Sequence, residues 1–88
     1  MVWDVRLSRE ALKDYEDLPR DVKARVERAI DSLSSDPFAG DVKPLKGKEW
    51  KGLYRKRVGP YRIIFSPDPK KQLVGVAAIL RRSEKAYR

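Results

Sequence analysis

The chain has neither cysteine nor histidine among its 88 residues. Without cysteine there is no disulfide framework, no thiolate nucleophile and no thiolate metal site. Without histidine, the commonest acid–base group near neutral pH and the commonest metal ligand are both missing. Asn and Thr are absent too, and Gln and Met occur once each. Few thermolabile amides beside many charges fit a thermophilic source. No apolar run approaches the roughly 20 residues that span a bilayer. No stretch reads as a signal peptide. The expectation is a cytoplasmic chain with no membrane partner, folded as one domain over residues 1–88 around one core.

What the chain does have is charge, unevenly placed. Charged residues make up 39% of it and the net charge is +8. Residues 1–42 hold 7 Lys/Arg against 10 Asp/Glu, whereas residues 43–88 hold 14 against 3. A thermophile's mixed surface would alternate signs in both halves, and the second half does not. Such a half is built to meet a polyanion: nucleic acid or an acidic protein.

Trp3, Val5 and Leu7 alternate with Asp4 and Arg6, which predicts a half-buried strand. Ser8 is an N-cap with Glu10 in the first turn, and Ala11, Leu12, Tyr15 and Leu18 then recur at helical spacing until Pro19. A second helix starts near Arg20, its apolar stripe running through Val22, Val26, Ala29, Ile30 and Leu33, and Ser34 to Pro37 stops it. The link is very short, so the helices pair as an antiparallel hairpin. Residues 38–52 have little periodicity and read as a connection carrying Lys43, Lys46, Lys48 and Lys51. Leu73 to Leu80 is nearly all apolar and reads as the best-buried, central strand, preceded by a turn over Pro67 to Gln72. The expected core comprises Trp3, Leu12, Tyr15, Val22, Val26, Ile30, Leu33, Ile64, Phe65, Val74, Val76 and Ile79.

Between them lies the stretch that organises the chain. Tyr54 to Val58 and Tyr61 to Ser66 are rich in aromatic and β-branched residues and are punctuated by Gly59-Pro60, a β-hairpin signature. The period of two sets Leu53, Arg55 and Arg57 on one face and Tyr54, Lys56 and Val58 on the other. Arg62 follows on the paired strand. Clustered guanidiniums repel one another unless an anion meets them. The element order β-α-α-β-β-β therefore predicts an α+β fold: a helical hairpin on one face of a twisted, mainly antiparallel four-stranded sheet. Arg55, Arg57, Arg62 and Arg81 are expected on its open face. Strand parity groups Arg81 with Gly75, Ala77 and Ile79, and Arg82 with Val74, Val76 and Leu80.

This order resembles the RelE/ParE superfamily of toxins over nearly the whole chain. The resemblance is carried by Leu18-Pro19, Leu33 to Pro37, Pro44-Leu45-Lys46-Gly47, the hairpin from Tyr54 to Phe65, and Arg81 through Tyr87. Similarity to RelE implies a ribosome-dependent endoribonuclease that cleaves mRNA in the decoding site and is held inactive by a RelB-like antitoxin. Matched one at a time, Arg55 and Arg57 stand where RelE-like enzymes place two basic catalytic residues, often Lys. Arg62 matches the Arg after the hairpin Tyr, Arg81 the Arg ending the last strand, and Tyr87 the terminal Tyr. In that chemistry a ribose 2′-hydroxyl attacks the adjacent phosphate, so neither metal nor cofactor is implied, and guanidiniums stabilise the charge gathering on phosphate oxygens. Tyr87 would stack on a base or hydrogen-bond the phosphate. Lys43, Lys46, Lys48, Lys51, Lys56, Arg82 and Lys85 would dock the protein on RNA phosphates without reading sequence. The antitoxin is expected to carry acidic segments that match the basic half.

Two departures stand out. Arg57 stays protonated, so it is a poor general base where a Lys would serve better, and proton abstraction falls to Tyr87, a ribosomal group or water. A YoeB-like Glu–His pair is excluded, because the chain has no His and Lys43 or Pro44 occupies the Glu position. The alternatives are a ParE-like toxin directed at DNA gyrase, whose relatives lack the full basic and Tyr set, and a silent member that only binds RNA or antitoxin.

Overall fold

The computed structural model describes residues 2–81. The elements are β1 (Asp4–Leu7), α1 (Arg9–Glu16), α2 (Arg20–Ser35), β2 (Val42–Pro44), a 3-10 turn (Lys48–Trp50), β3 (Tyr54–Val58), β4 (Tyr61–Asp68) and β5 (Leu73–Arg81). They form an α+β fold in which two helices pack on a five-stranded sheet of order β1-β5-β4-β3-β2. β1 runs parallel to β5 and every other neighbouring pair is antiparallel. No helix among the described residues is long and apolar enough to cross a membrane.

The start of α1 follows its local chemistry. Ser8 caps it, its Oγ accepting from the Ala11 N–H at 3.1 Å. The chain leaves α1 at Asp17 and re-enters a helix after Pro19, which fixes the two-helix hairpin. Ala11, Tyr15 and Leu18 face inward and leave Leu12 48% exposed. Leu12 is therefore not a core residue: on so short a helix, the small Ala11 is what permits close approach to the sheet. The core itself is Ala11, Val22, Val26 and Leu33 from the helices against Ile63, Phe65, Val74, Val76 and Ile79 from the sheet. Ile64 is buried as well, but on the face away from the helices.

The sheet has five strands where four were expected. The extra one, β2, lies inside the expected connection and pairs Val42 with Lys56 and Pro44 with Tyr54. Three residues cannot display a period, and Pro argues against a strand unless the strand lies at an edge, as this one does. Pro67 and Asp68 likewise extend β4 instead of opening the turn. The middle strand of the order is accordingly β4, with β5 between it and β1.

Strand β5 also carries a bulge. Ile64 opposes Ala78 while its neighbour Phe65 opposes Val76, so Ala77 is the extra residue. β1 ends opposite Val76, and α1 satisfies the edge of β5 beyond it. Ser8 Oγ donates to the Ala77 carbonyl at 2.9 Å, and the Asp14 carboxylate accepts from the Ile79 N–H at 3.0 Å. At the bulge, these two polar contacts tie α1 and its cap to the stretch of β5 that β1 does not pair.

Candidate functional site

The hairpin of β3 and β4 sets the site. Val58 opposes Tyr61, leaving Gly59-Pro60 as a two-residue turn. Gly59 has φ 56°, the left-handed region that a two-residue hairpin with Gly first requires. That turn fixes the register, and the register puts Arg57 opposite Arg62 and Arg55 opposite Ile64. All three arginines share the open face, in phase with Ala78 and Leu80 of β5. Like charges directly opposite each other are unfavourable on a strand pair. Beside them lies a groove of about 450 Å³ whose lining is largely apolar, through Trp50, Leu53, Ile64, Ala78 and Leu80, but also includes Ser8 and Glu10.

Arg55 is not simply an exposed cation. Its side chain is only 11% exposed, and Nη1 lies 3.2 Å from Asp41 Oδ1 and 3.4 Å from the Asp41 carbonyl. Arg57 Nε lies 3.8 Å from the other oxygen of the same carboxylate. The hydrogen bond from Arg55, with the positive charges of Arg55, Arg57 and Lys43, holds the Asp41 carboxyl below its ordinary 3.8. A lowered folded-state value means that this pairing stabilises the protein fully above about pH 3.8 and is lost as pH falls through the folded value. Urea midpoints of the protein and of Asp41→Asn are therefore expected to differ by a constant amount above pH 4 and to converge below it. A difference that stays unchanged as the folded protein's Asp41 carboxyl takes up its proton would show that the carboxylate charge is not what the arginines use.

The other expected residues fall in several places. Lys43, Lys46, Lys48 and Lys51 are exposed along β2 and the following turn, close to the arginine face in sequence and pairing. Lys56 is a correction. It opposes Ile63, points toward the helix side, is 9% exposed and donates from Nζ to the Ala39 carbonyl at 3.2 Å. Burial holds its ammonium below the usual lysine value, with the Asp36 charge acting the other way. It ties down a loop and presents nothing to a phosphate.

Arg81 is a second correction. It is exposed and opposes Tyr61, in phase with Ile79 and, across the bulge, with Val76 and Val74. The extra residue at Ala77 reverses the parity of the strand end, so Arg81 belongs by phase to the helix-bearing face and not with Arg62. Arg82, Lys85 and Tyr87 lie outside the described residues. Among the described residues, no three acidic side chains converge as metal ligands would. Asp41, whose carboxylate meets both Arg55 and Arg57, was not among the expected site residues. Its signal was an isolated acid at the border of a strongly basic half.

Comparison with known proteins agrees with this architecture. Residues 5–86 match the family described as ParE toxin of type II toxin-antitoxin system, parDE. A curated protein of Methanocaldococcus jannaschii named "Putative toxin RelE1" is 30% identical over 91 residues, covering 100% of this chain and 98% of the relative. The structure is similar to that of an archaeal RelE-RelB complex from Pyrococcus horikoshii, with TM-score 0.81, 27% identity and coverage of 97% of this chain and 100% of that one. It is also similar to the toxin-antitoxin complex RelBE2 of Mycobacterium tuberculosis, with TM-score 0.80, 29% identity and coverage of 93% and 100%. The chain belongs to the RelE/ParE family of type II toxin–antitoxin toxins.

Proposed function

We propose that this toxin is a ribosome-dependent endoribonuclease that cuts mRNA in the decoding site and thereby stops translation. The observation that supports this most is the open sheet face, where Arg57 and Arg62 oppose each other with Arg55 braced behind them. A polynucleotide phosphate between Arg57 and Arg62 relieves their repulsion. As the neighbouring ribose 2′-hydroxyl attacks phosphorus, charge grows on the non-bridging oxygens, and fixed guanidiniums bind that charge more strongly than the ground state. The nucleophile comes from the substrate. The 2′-hydroxyl proton leaves to water, to Tyr87 or to a ribosomal group, since Arg57 has no basic form to offer. The P–O5′ bond breaks as the O2′–P bond forms, and the departing 5′-oxygen takes up a proton, leaving a 2′,3′-cyclic phosphate and a 5′-hydroxyl.

The exposed lysines at 43, 46, 48 and 51 supply sequence-independent docking to phosphates, with an affinity that falls steeply with salt. The partner that silences the toxin is a RelB-like antitoxin with acidic segments, and the site of action is the cytoplasm. The relatives solved as toxin–antitoxin complexes support the pairing.

The match to a ParE family favours a second reading, inhibition of DNA gyrase. One experiment separates the two. The purified chain is added to a cell-free translation reaction, mRNA 5′ ends are mapped by primer extension, and gyrase supercoiling is assayed in parallel. The expected result is cutting at fixed positions within codons, only when ribosomes are present, with supercoiling unaffected. Blocked supercoiling with intact mRNA would move the chain to the gyrase reading.

A further inference from the structure

The loop between α2 and β2 is held from both sides of one strand, and its last residue is Asp41. On the helix side, Lys56 Nζ donates to the Ala39 carbonyl at 3.2 Å. On the open side, Arg55 and Arg57 reach the Asp41 carboxylate at 3.2 and 3.8 Å. The Arg57 N–H donates to the Asp41 carbonyl at 3.1 Å, which continues the β2–β3 ladder past Val42. Phe38 anchors the loop by edge-to-face contacts with Trp3 at 6.4 Å and Tyr54 at 5.6 Å. Gly40, with φ 83°, makes the turn that carries the chain from Ala39 to Asp41, a conformation that other residues seldom adopt. The carboxylate is therefore fixed before any ligand arrives.

That placement gives the two arginines different jobs. Arg55 is buried and spends its hydrogen bonds on Asp41. The Arg57 side chain is 40% exposed and meets the Asp41 carboxylate at ion-pair distance through Nε. Arg57 sits directly opposite Arg62 in the hairpin register, so of the two arginines it is the one placed to meet a ligand.

We infer that Asp41 is a positioning residue: its carboxylate, anchored by Arg55, orients the Arg57 guanidinium toward the phosphate of the RNA. This inference rests on the nuclease reading above. Like charges on Arg55 and Arg57, two residues apart on one face, would otherwise push the exposed guanidinium outward into solvent. One fixed anion between them removes that freedom, and a catalytic group displaced by about an ångström loses about a hundredfold in rate.

The test compares the wild-type chain with Asp41→Asn, Asp41→Ala and Asp41→Glu in single-turnover cleavage of ribosome-bound mRNA, with the concentration of toxin varied. Asp41→Asn keeps the shape and removes the charge. It is expected to lower the saturating rate about tenfold or more while shifting the half-saturating concentration by less than about twofold. Asp41→Glu should recover part of the rate. In nitrogen-15 NMR spectra of the free protein, the Arg57 Nε–H signal should move or broaden in Asp41→Asn, a change that simple loss of stability would not produce. Thermal melts show which variants remain folded, and Asp41→Asn carries the test if Asp41→Ala does not fold. A saturating rate equal to or above wild type in folded Asp41→Asn overturns the inference, as does an unmoved Arg57 signal. Absence of cleavage by the wild-type chain overturns the nuclease reading and Asp41's role with it, and the wild-type reaction run in parallel tells these failures apart.

Discussion

Arg57→Ala is expected to lower ribosome-dependent cleavage by about a hundred- to a thousandfold, the usual consequence of removing one preorganised donor to a developing oxyanion. The same change should scarcely alter stability. The Arg57 side chain is 40% exposed, and its one ion pair among the described residues, at 3.8 Å, is long. Exposed pairs of this kind contribute about 1 kcal/mol or less, so the thermal midpoint should move by less than about 8 °C. Arg55 behaves differently, because its guanidinium is buried against Asp41 and its removal strands that carboxylate. Single-turnover rates with a thermal melt on each variant check both statements. A rate for Arg57→Ala within about threefold of wild type, in a folded protein, would remove Arg57 from the chemistry.

The largest stability effect is expected at Phe65. It is fully buried, stacks on Tyr54 with centroids 5.9 Å apart, and packs with both helices' inward residues. Phe65→Ala should cost about 3–5 kcal/mol, the lost transfer energy plus the cavity left behind. A domain of this size holds only about 4–13 kcal/mol in total, so the variant should be marginal at 37 °C. Because Tyr54 packs on Phe38, the loop that presents Asp41 should loosen as well. Urea unfolding followed by Trp fluorescence measures the loss. A change under about 1 kcal/mol would mean that the core closes over the gap, contrary to the packing described.

Local chemistry was legible in the sequence, and long-range compensation was not. The cap at Ser8, the break at Pro19 and the hairpin at Gly59-Pro60 are encoded within a few residues, and each forms as read. The bulge at Ala77 has no local mark, because alanine suits any strand. What makes it tolerable are Ser8 and Asp14, more than sixty residues away. One unseen residue then inverted the parity used to place Arg81. β2 escaped because three residues at an edge, one of them Pro, leave no period. Lys56 is a different kind of miss. The alternation that grouped Arg55 with Arg57 already set Lys56 on the opposite face, but the count of basic residues drew it into the binding surface. Asp41 needed the pairing of β2 with β3 before its distance from Arg55 could be known.

The central claim is that a face of fixed guanidiniums promotes attack by the substrate's own 2′-hydroxyl. The most direct measurement is the chemistry of the cut ends of mRNA recovered from ribosomes treated with the wild-type chain. The account predicts a 2′,3′-cyclic phosphate on the upstream fragment and a free 5′-hydroxyl on the downstream one, so that the downstream end ligates only after treatment with a kinase. A 5′-phosphate facing a free 3′-hydroxyl would mean that water attacked from outside the substrate, and would contradict the mechanism built on Arg57 and Arg62.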